Sequence, residues 1–486
     1  MIFQQTDSCC SGDAFGAYQR ARREHWDTTA CFMDHWTGWG GFYHRQLAKL
    51  YRFLVPGGLR VLEVGCAQGD LLAALQPSFG VGVDFSGQML RRARSKHPEL
   101  HFIQADACSL PLNGQFDVII LSDLLNDLWD VQAVFEQLRK VCTPRTRLIL
   151  NNYSRLWEAP LAAAEALKLA KPTLYQNWLT VDDVQNLLNL ADFEMIRTWP
   201  DIAWVLPTPL IDTLFNRFLV KLWPFKAFAL TNFIVARPCP HPTEGALPVV
   251  SVVVPARNEA GNIPHILERT PEMGAGTEII FVEGHSQDNT WETIQQVVAA
   301  HPERRCQMMQ QTGRGKGDAV RMGFAHATGD VLMILDADMT VPPEDLPRFY
   351  EALRQGKGDF INGVRLVYPM EEQAMRFFNL LGNKFFSLAF SWLLGQPVKD
   401  SLCGTKVLWR SDYEHVVANR SYFGDFDPFG DFDLLFGAAR LTLKIVDLPI
   451  RYRERVYGTT NIERWKHGWL LLKMVSFAAG RIKFVG

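Results

Sequence analysis

The chain has 486 residues, 48% of them apolar, with a formal net charge of −2 and a pI near 6.6. That length asks for two or three domains with full cores, and the near-neutral balance gives no reason to expect nucleic acid as a partner. Nine scattered cysteines without a C-x-x-C pair argue against a disulfide framework or structural zinc and fit a reducing compartment.

The N-terminus lacks a basic start followed by an apolar run, and no uncharged apolar stretch reaches the about 20 residues of a spanning helix. A cytoplasmic protein is expected, with peripheral contact at the inner face of the membrane left open. Residues 15–55 mix aromatics, histidines and charges. Their second part reads as an amphipathic helix, and their Trp-rich first part is a candidate cover for a ligand pocket. His35 and His44 have no partners at metal-ligand spacing and are assigned no chemistry.

RVLEVGCAQGDLLAAL, residues 60–75, reads as a strand, a glycine loop and a helix. Gly65 and Gly69 allow a tight turn beside a ligand, and the helix start adds free N–H groups. Such a loop also serves dinucleotides and plain strand-to-helix turns, so the strands after it decide. The next strand, FGVGVDFS, ends in Asp84, where an acid can accept both hydroxyls of a ribose. HFIQADACSLP places Asp106 where an adenine amino group could be met, and FDVIILSDLLNDL supplies a fourth strand. The pattern is that of a doubly wound sheet with its ligand at the carboxyl ends of the strands.

These ordered landmarks resemble a class I S-adenosylmethionine-dependent methyltransferase over residues 40–237. The resemblance implies S-adenosylmethionine as cofactor, with Glu63, Gly65 and Gly69 in the cofactor loop, Asp84 on the ribose and Asp106 on the adenine. Ala67 stands where the loop often has a middle glycine. A nicotinamide-dependent enzyme shares the loop and the ribose acid, but the EVGCAQGD and ADACSLP segments favour methyl transfer. SDLLNDL lacks the NPPY signature of many nucleic-acid amino-methylating enzymes, and no acceptor is declared.

RLILNNYS, FEMIRTWP and NFIVARP are expected to finish the sheet. The apolar segment IAWVLPTPLIDTLFNRFLVKLWPFKAFAL between the last two carries Arg217, Lys221 and Lys226. It reads equally as a substrate lid or membrane-facing surface and as a buried cap. Four prolines in RPCPHPTEGALP then disfavour helix and sheet and mark a stiff linker. The expected organisation is a first domain over 1–237, a linker over 238–248 and a second domain over 249–486.

The second domain opens on SVVVPARNEAGNI, continues through EIIFVEGHSQDNT, and reaches GRGKGDAVRMGFAHATGDVLMILDADMT, residues 313–340. There the strand VLMIL ends in Asp336 and Asp338, one residue apart. Alternate residues of an extended segment point the same way, so both carboxylates can aim at one point. Hard oxygen donors suit Mg²⁺ or Mn²⁺ bridging nucleotide phosphates, which Lys316 between Gly315 and Gly317 can approach. This order resembles a family 2 glycosyltransferase, in particular the branch of dolichol-phosphate mannose synthase.

That resemblance implies an A-type nucleotide-sugar transferase fold, inverting transfer from a nucleotide-sugar, and a polyprenyl phosphate acceptor. It assigns Pro255, Arg257, Glu259, Glu283, Asp288, Lys316 and Asp336 to the nucleotide-sugar, and Asp336 and Asp338 to the metal. Gly284 replaces the second acid of the family's VDDGSxDGT segment, and Thr340 stands where relatives often have glutamine. VKDSLCGTKV, with Asp400, Cys403, Gly404 and Lys406, matches an acceptor-site segment in which Cys403 supplies small size. GDFD occurs at 424–427 and 430–433. The second copy matches better, making Asp431 and Asp433 candidates to orient the acceptor or take its proton, unless one caps a helix. RYRERVYGTTN resembles the closing phosphate loop, with Arg455, Gly458 and Thr460 matching, Asn461 in place of lysine, and Arg453 as a nearby charge.

Residues 377–394 are apolar nearly all round and read either as a buried helix or as one resting on a bilayer. The tail ERWKHGWLLLKMVSFAAGRIKF poses the same choice. The whole chain is therefore read as an α/β protein, a Rossmann-like methyltransferase sheet joined to a nucleotide-sugar transferase. Two other readings stay open: a soluble or saccharide acceptor, and a first domain that binds its cofactor only to regulate the second.

Overall fold

The computed structural model describes residues 13–32, 39–166, 174–240, 245–365, 377–422, 430, 432–451, 457 and 464–484. The chain divides into two compact units, Met1–Cys239 with Phe484–Gly486, and Pro240–Lys483. Pro238, placed in the linker by its sequence, is the last residue of a strand and pairs with Phe193. Residues 241–244, with Pro242, lie outside the described residues.

The first unit is built on β1 (Arg60–Val64), β2 (Phe79–Asp84), β3 (His101–Gln104), β4 (Phe116–Ser122), β5 (Cys142–Tyr153), β6 (Phe193–Asp201) and β7 (Thr231–Pro238). They form one sheet in the order β3-β2-β1-β4-β5-β7-β6, parallel except where β7 runs against β5 and β6. The strands read as near-continuous apolar runs because both faces are covered. Leu62, Val64, Leu148, Leu150, Ile234 and Ala236 pack on one face, and Val61, Ile149, Phe233 and Val235 on the other. Helix starts are fixed by side chains that satisfy free N–H groups: Ser86 Oγ accepts from Met89 N at 3.2 Å, and Asp130 Oδ1 from Ala133 N at 2.9 Å.

The second unit holds β8 (Val250–Ala256), β9 (Thr277–Glu283), β10 (Arg305–Gln310), β11 (Val331–Ile334), β12 (Phe360–Val364), β13 (Lys406–Trp409) and β14 (Ile445–Pro449). Their order is β10-β9-β8-β11-β13-β12-β14. β13 is antiparallel to both neighbours, with Met333 opposite Val407. This reversal matters for the site: the residues that lead into β13 arrive at the carboxyl end of β11, just before Asp336 and Asp338.

Candidate functional site

In the first unit the glycine loop joins β1 to the helix Asp70–Ala74. Gly65 and Gly69 take φ of 76° and 75°, the left-handed region that favours glycine, and Ala67 between them takes 46°. A Cβ on Gly65 would lie 2.8 Å from Leu124 Cδ1, and one on Gly69 2.7 Å from Phe102 Cζ. Asp84 ties the loop to β2: Oδ2 accepts from Ala67 N at 2.9 Å and Oδ1 from Ser86 N at 2.8 Å. Burial raises the Asp84 carboxyl against these backbone bonds. Glu63 is 3% exposed, and burial pushes its carboxyl up to about 8. Among the described residues its Oε2 has no hydrogen-bond partner, which is rare for a buried polar atom.

The helix Asp13–Phe32 lies across the carboxyl ends of these strands. Gln19 Nε2 donates to Asp106 Oδ2 at 2.5 Å, Ser86 Oγ to Asp27 Oδ1 at 2.5 Å, and Trp26 Nε1 to Asp127 Oδ2 at 3.0 Å. One helix thus spans the ends of β2, β3 and β4 and reaches both Asp106 and the turn after Asp84. Part of the Trp-rich stretch, residues 33–38, lies outside the described residues. The segment between β6 and β7 is anchored by the buried ion pair of Lys221 with Asp201. It buries Ile202 and Val220 but leaves Leu210 84%, Trp223 82% and Phe228 67% exposed, so only part of its apolar surface is that of a buried cap.

In the second unit the acids are used in two ways. Glu259, Glu283 and Asp288 stitch the turns after β8 and β9. Glu259 Oε2 accepts from Asn262 Nδ2 at 2.7 Å, Glu283 Oε1 from Ser286 N at 2.5 Å, and Asp288 from Thr290 N and Ala260 N at 3.1 and 3.4 Å. Pro255 is partly covered on β8 and Arg257 is exposed beside them.

At the end of β11 the arrangement changes. Lys316 Nζ meets Asp336 Oδ1 at 2.7 Å. Burial opposes ionisation of Asp336, but Lys316, with Lys406 and Arg365 behind it, holds the carboxyl below its ordinary range. Asp338 Oδ1 accepts from Thr340 N at 3.1 Å and Thr340 Oγ1 at 2.8 Å. Thr340 is thus placed to fix the second acid's orientation.

Two glycines press other loops onto this corner. A Cβ on Gly404 would lie 1.9 Å from Asp336 Oδ2, and one on Gly430 would lie 2.2 Å from Gly317 N. The second GDFD copy therefore begins in backbone contact with the lysine loop. Asp433, at the start of the helix Phe432–Arg440, lies 3.7 Å from Arg321 Nη1 and 4.0 Å from Arg420 Nε. Tyr457 packs on Gly261, where a Cβ would sit 2.5 Å from its ring, which places this one residue at the turn after β8. Asp431, Arg453, Arg455, Gly458, Thr460, Asn461 and the first GDFD copy lie outside the described residues.

Lys406 is fully buried and donates to Cys403 O at 2.5 Å and Asn362 Oδ1 at 3.3 Å. Asp400 takes Arg365 in a two-point ion pair at 2.7 and 2.8 Å and also accepts from Leu402 N and Cys403 N. Both residues shape the loop that sets Gly404 on Asp336, and the geometry gives Lys406 this positioning task, without access to an acceptor. Burial pushes the Cys403 thiol up to about 11, consistent with a small filler and no thiolate nucleophile.

Residues 61–145 match the family described as methyltransferase domain, and residues 251–415 match glycosyl transferase family 2. The protein joins a methyltransferase domain to a family 2 glycosyltransferase domain. Dolichol-phosphate mannosyltransferase of Pyrococcus furiosus is 33% identical over 236 residues, covering 46% of this chain and 64% of that protein. Undecaprenyl-phosphate 4-deoxy-4-formamido-L-arabinose transferase of Pectobacterium carotovorum is 28% identical over 216 residues, covering 43% and 62%. The match spans less than two thirds of either relative. A solved S-adenosylmethionine-dependent methyltransferase from Mesorhizobium loti is 22% identical, covering 38% of this chain and 94% of that one at a TM-score of 0.31. Asp123 and its polar neighbours carry no signal in the sequence beyond the place of SDLLNDL at the end of the fourth strand.

Proposed function

We propose that the chain is a bifunctional enzyme. Its second domain transfers a sugar, with inversion, from a nucleoside-diphosphate sugar to a polyprenyl phosphate at a membrane surface. Its first domain methylates a related glycan, lipid or precursor with S-adenosylmethionine. The observation that carries the sugar-transfer reading is the contact of Gly430 with Gly317 beside the Lys316–Asp336 pair, because it gathers phosphate loop, acids and the second GDFD segment at one strand end.

Among the described residues no three His, Cys, Asp or Glu side chains gather to hold a metal alone. Two acids fit a hard cation that completes its shell with phosphate oxygens and water. Asp336 and Asp338 would hold Mg²⁺ or Mn²⁺, which when bound supplies positive charge against the departing diphosphate. Lys316 then turns its charge from Asp336 to the phosphates, and Thr340 keeps Asp338 aimed. An acceptor phosphate needs little deprotonation, so placing it is the larger task. Arg321 and Arg420 beside Asp433 offer positive charge for that placement, and Arg455 is a further candidate.

A lipid acceptor is supported by the surface of this unit. On the helix Phe377–Leu394, Phe390, Leu393 and Leu394 are buried, while Phe385, Leu388 and Trp392 are 55%, 68% and 37% exposed. The helix Arg464–Ala478 adds Trp469 and Leu472 at 61% and 42%. Spacings of three and four residues make each set one stripe, and Lys384 and Lys473 suit the headgroup level. No helix among the described residues is long and apolar enough to cross a membrane. Both relatives are also named for transfer involving a polyprenyl phosphate.

In the first domain, Gly65, Ala67 and Gly69 would cradle the cofactor, Asp84 its ribose and Asp106 its adenine. The unpartnered Glu63 Oε2 fits a cationic or hydrogen-donating ligand, and the bound cofactor would supply the methyl group. Asp338→Asn tests the assignment of roles: sugar transfer should fall at least about 100-fold, with S-adenosylmethionine binding by calorimetry unchanged. Equal loss of both would refute it.

A further inference from the structure

Asp123 immediately follows β4 and stands among polar side chains that the reactions above leave unused. Its backbone takes φ of 53°, a conformation that a non-glycine residue holds only when its surroundings impose it. Oδ1 accepts twice, from Tyr43 OH at 2.8 Å and from Asn151 Nδ2 at 2.5 Å. Tyr51 OH donates to Asn151 Oδ1 at 2.7 Å, which fixes the amide so that its NH₂ faces Asp123. Tyr43 OH also lies 3.2 Å from Thr231 Oγ1. Oδ1 is thus saturated, Oδ2 has no hydrogen-bond partner among the described residues, and Asp123 keeps part of its surface open.

The position has meaning in a doubly wound sheet. Strand order runs outward from β1 on one side and from β4 on the other, so the crevice between their carboxyl ends is where ligands bind. Gly65 ends one side of that crevice and Asp123 the other, with Leu124 packed on Gly65. Asp84 and Asp106 lie on the β2–β3 side, which leaves the β4–β5 side, with Asp123, for a second substrate.

The cluster's charge narrows that substrate. Burial pushes the Tyr43, Tyr51 and Tyr153 phenols well above 10, so they stay neutral. Burial also pushes the Asp123 carboxyl up to about 7, against the opposing bonds from Tyr43 and Asn151. Asp123 is then the one group of this cluster that gains negative charge near neutrality. A carboxylate or phosphate acceptor would set like charges together, whereas a hydroxyl or amine offers hydrogen to Oδ2.

We propose that Asp123 Oδ2 receives the hydrogen bond, and then the proton, of the methyl acceptor, and that this acceptor is a hydroxyl or an amine. This rests on the methyl-transfer reading of the first domain. The acceptor's X–H bond breaks and the pair on X forms the new bond to the methyl carbon; the methyl–sulfur pair passes to sulfur, leaving S-adenosylhomocysteine, and the proton forms a carboxyl O–H at Oδ2 that later ionises to water.

The test uses the full chain saturated with S-adenosylhomocysteine, with aspartate carboxyl carbons followed by NMR across pH. One aspartate should titrate near 7, vanish in Asp123→Asn, and shift upward in Tyr43→Phe, which removes a bond to the ionised form. With S-adenosylmethionine and three probes (methyl glucoside, glucosamine and glucuronate), methylation should occur at hydroxyl or amine and fall about 100-fold or more in Asp123→Asn. Cofactor affinity should stay within about threefold. No aspartate titrating near 7, one that survives Asp123→Asn, or methyl ester formation on glucuronate would overturn the proposal. Methylation of none of the probes would also count against the proposal, while failure of S-adenosylhomocysteine to bind would instead sink the methyl-transfer reading.

Discussion

Gly430→Ala puts the packing of the sugar-transfer site to a direct test. Gly430 takes φ of 81°, and an added Cβ would meet Gly317 N at 2.2 Å and Lys316 C at 2.9 Å. Both are backbone atoms, so no rotamer change relieves the contact. Ordinary contact starts near 3.4 Å, so the two loops must part by about 1.2 Å, and a misplacement of about 1 Å can cost roughly 100-fold in rate. The left-handed backbone adds about 1–2 kcal/mol of strain, or a fall of roughly 2–8 °C in the melting of the second unit. Sugar transfer should therefore drop about 100-fold, with S-adenosylmethionine binding retained. Gly245→Ala is the control, since nothing lies within 4 Å of its Cβ. Activity of Gly430→Ala within about threefold of wild type would refute the claimed proximity of the GDFD and lysine loops.

Two further expectations concern the first domain. Glu63 binds its proton more tightly folded, with a carboxyl near 8, so stability is fullest below its ordinary value of 4.5 and is lost as pH rises toward 8. Glu63→Gln should lessen that loss by on the order of 5 kcal/mol, read from denaturant midpoints at acid and alkaline pH; Asp123 leaves part of the slope, and an unchanged slope would count against the buried acid. Ala67→Gly should stabilise this unit by roughly 0.5 kcal/mol, because relief of left-handed strain exceeds the entropy glycine adds to the unfolded chain. A lower melting temperature would contradict that.

Much of the fold was legible because its strands carry signals that survive in one sequence: apolar runs, several of them closed by a glycine or an acid. RVLEV, FGVGVD and VLMI are strands where their patterns put them, as are the segments expected to finish the first sheet. What pattern does not carry is partnership across the chain. Lys406 looked like an acceptor-site cation from its motif, yet the antiparallel return of β13 buries it under Cys403 O. Asp123 looked like one acid among several in SDLLNDL. Its neighbours Tyr43, Asn151 and Thr231 lie 80, 28 and 108 residues away, and only the folded sheet brings them to its end. The helix at 377–394 was ambiguous for a physical reason: one face is core and another is exposed apolar surface, so both readings describe part of it.

The most direct test of the central claim is to incubate the full chain with a panel of nucleotide-sugars, polyprenyl phosphate and Mg²⁺ or Mn²⁺, and to weigh the lipid fraction by mass spectrometry. The account expects a gain of one sugar on the lipid, absent in Asp338→Asn. Consumption of the donor with no change in lipid mass would contradict a polyprenyl phosphate acceptor and turn the exposed stripes of the second unit to some other purpose.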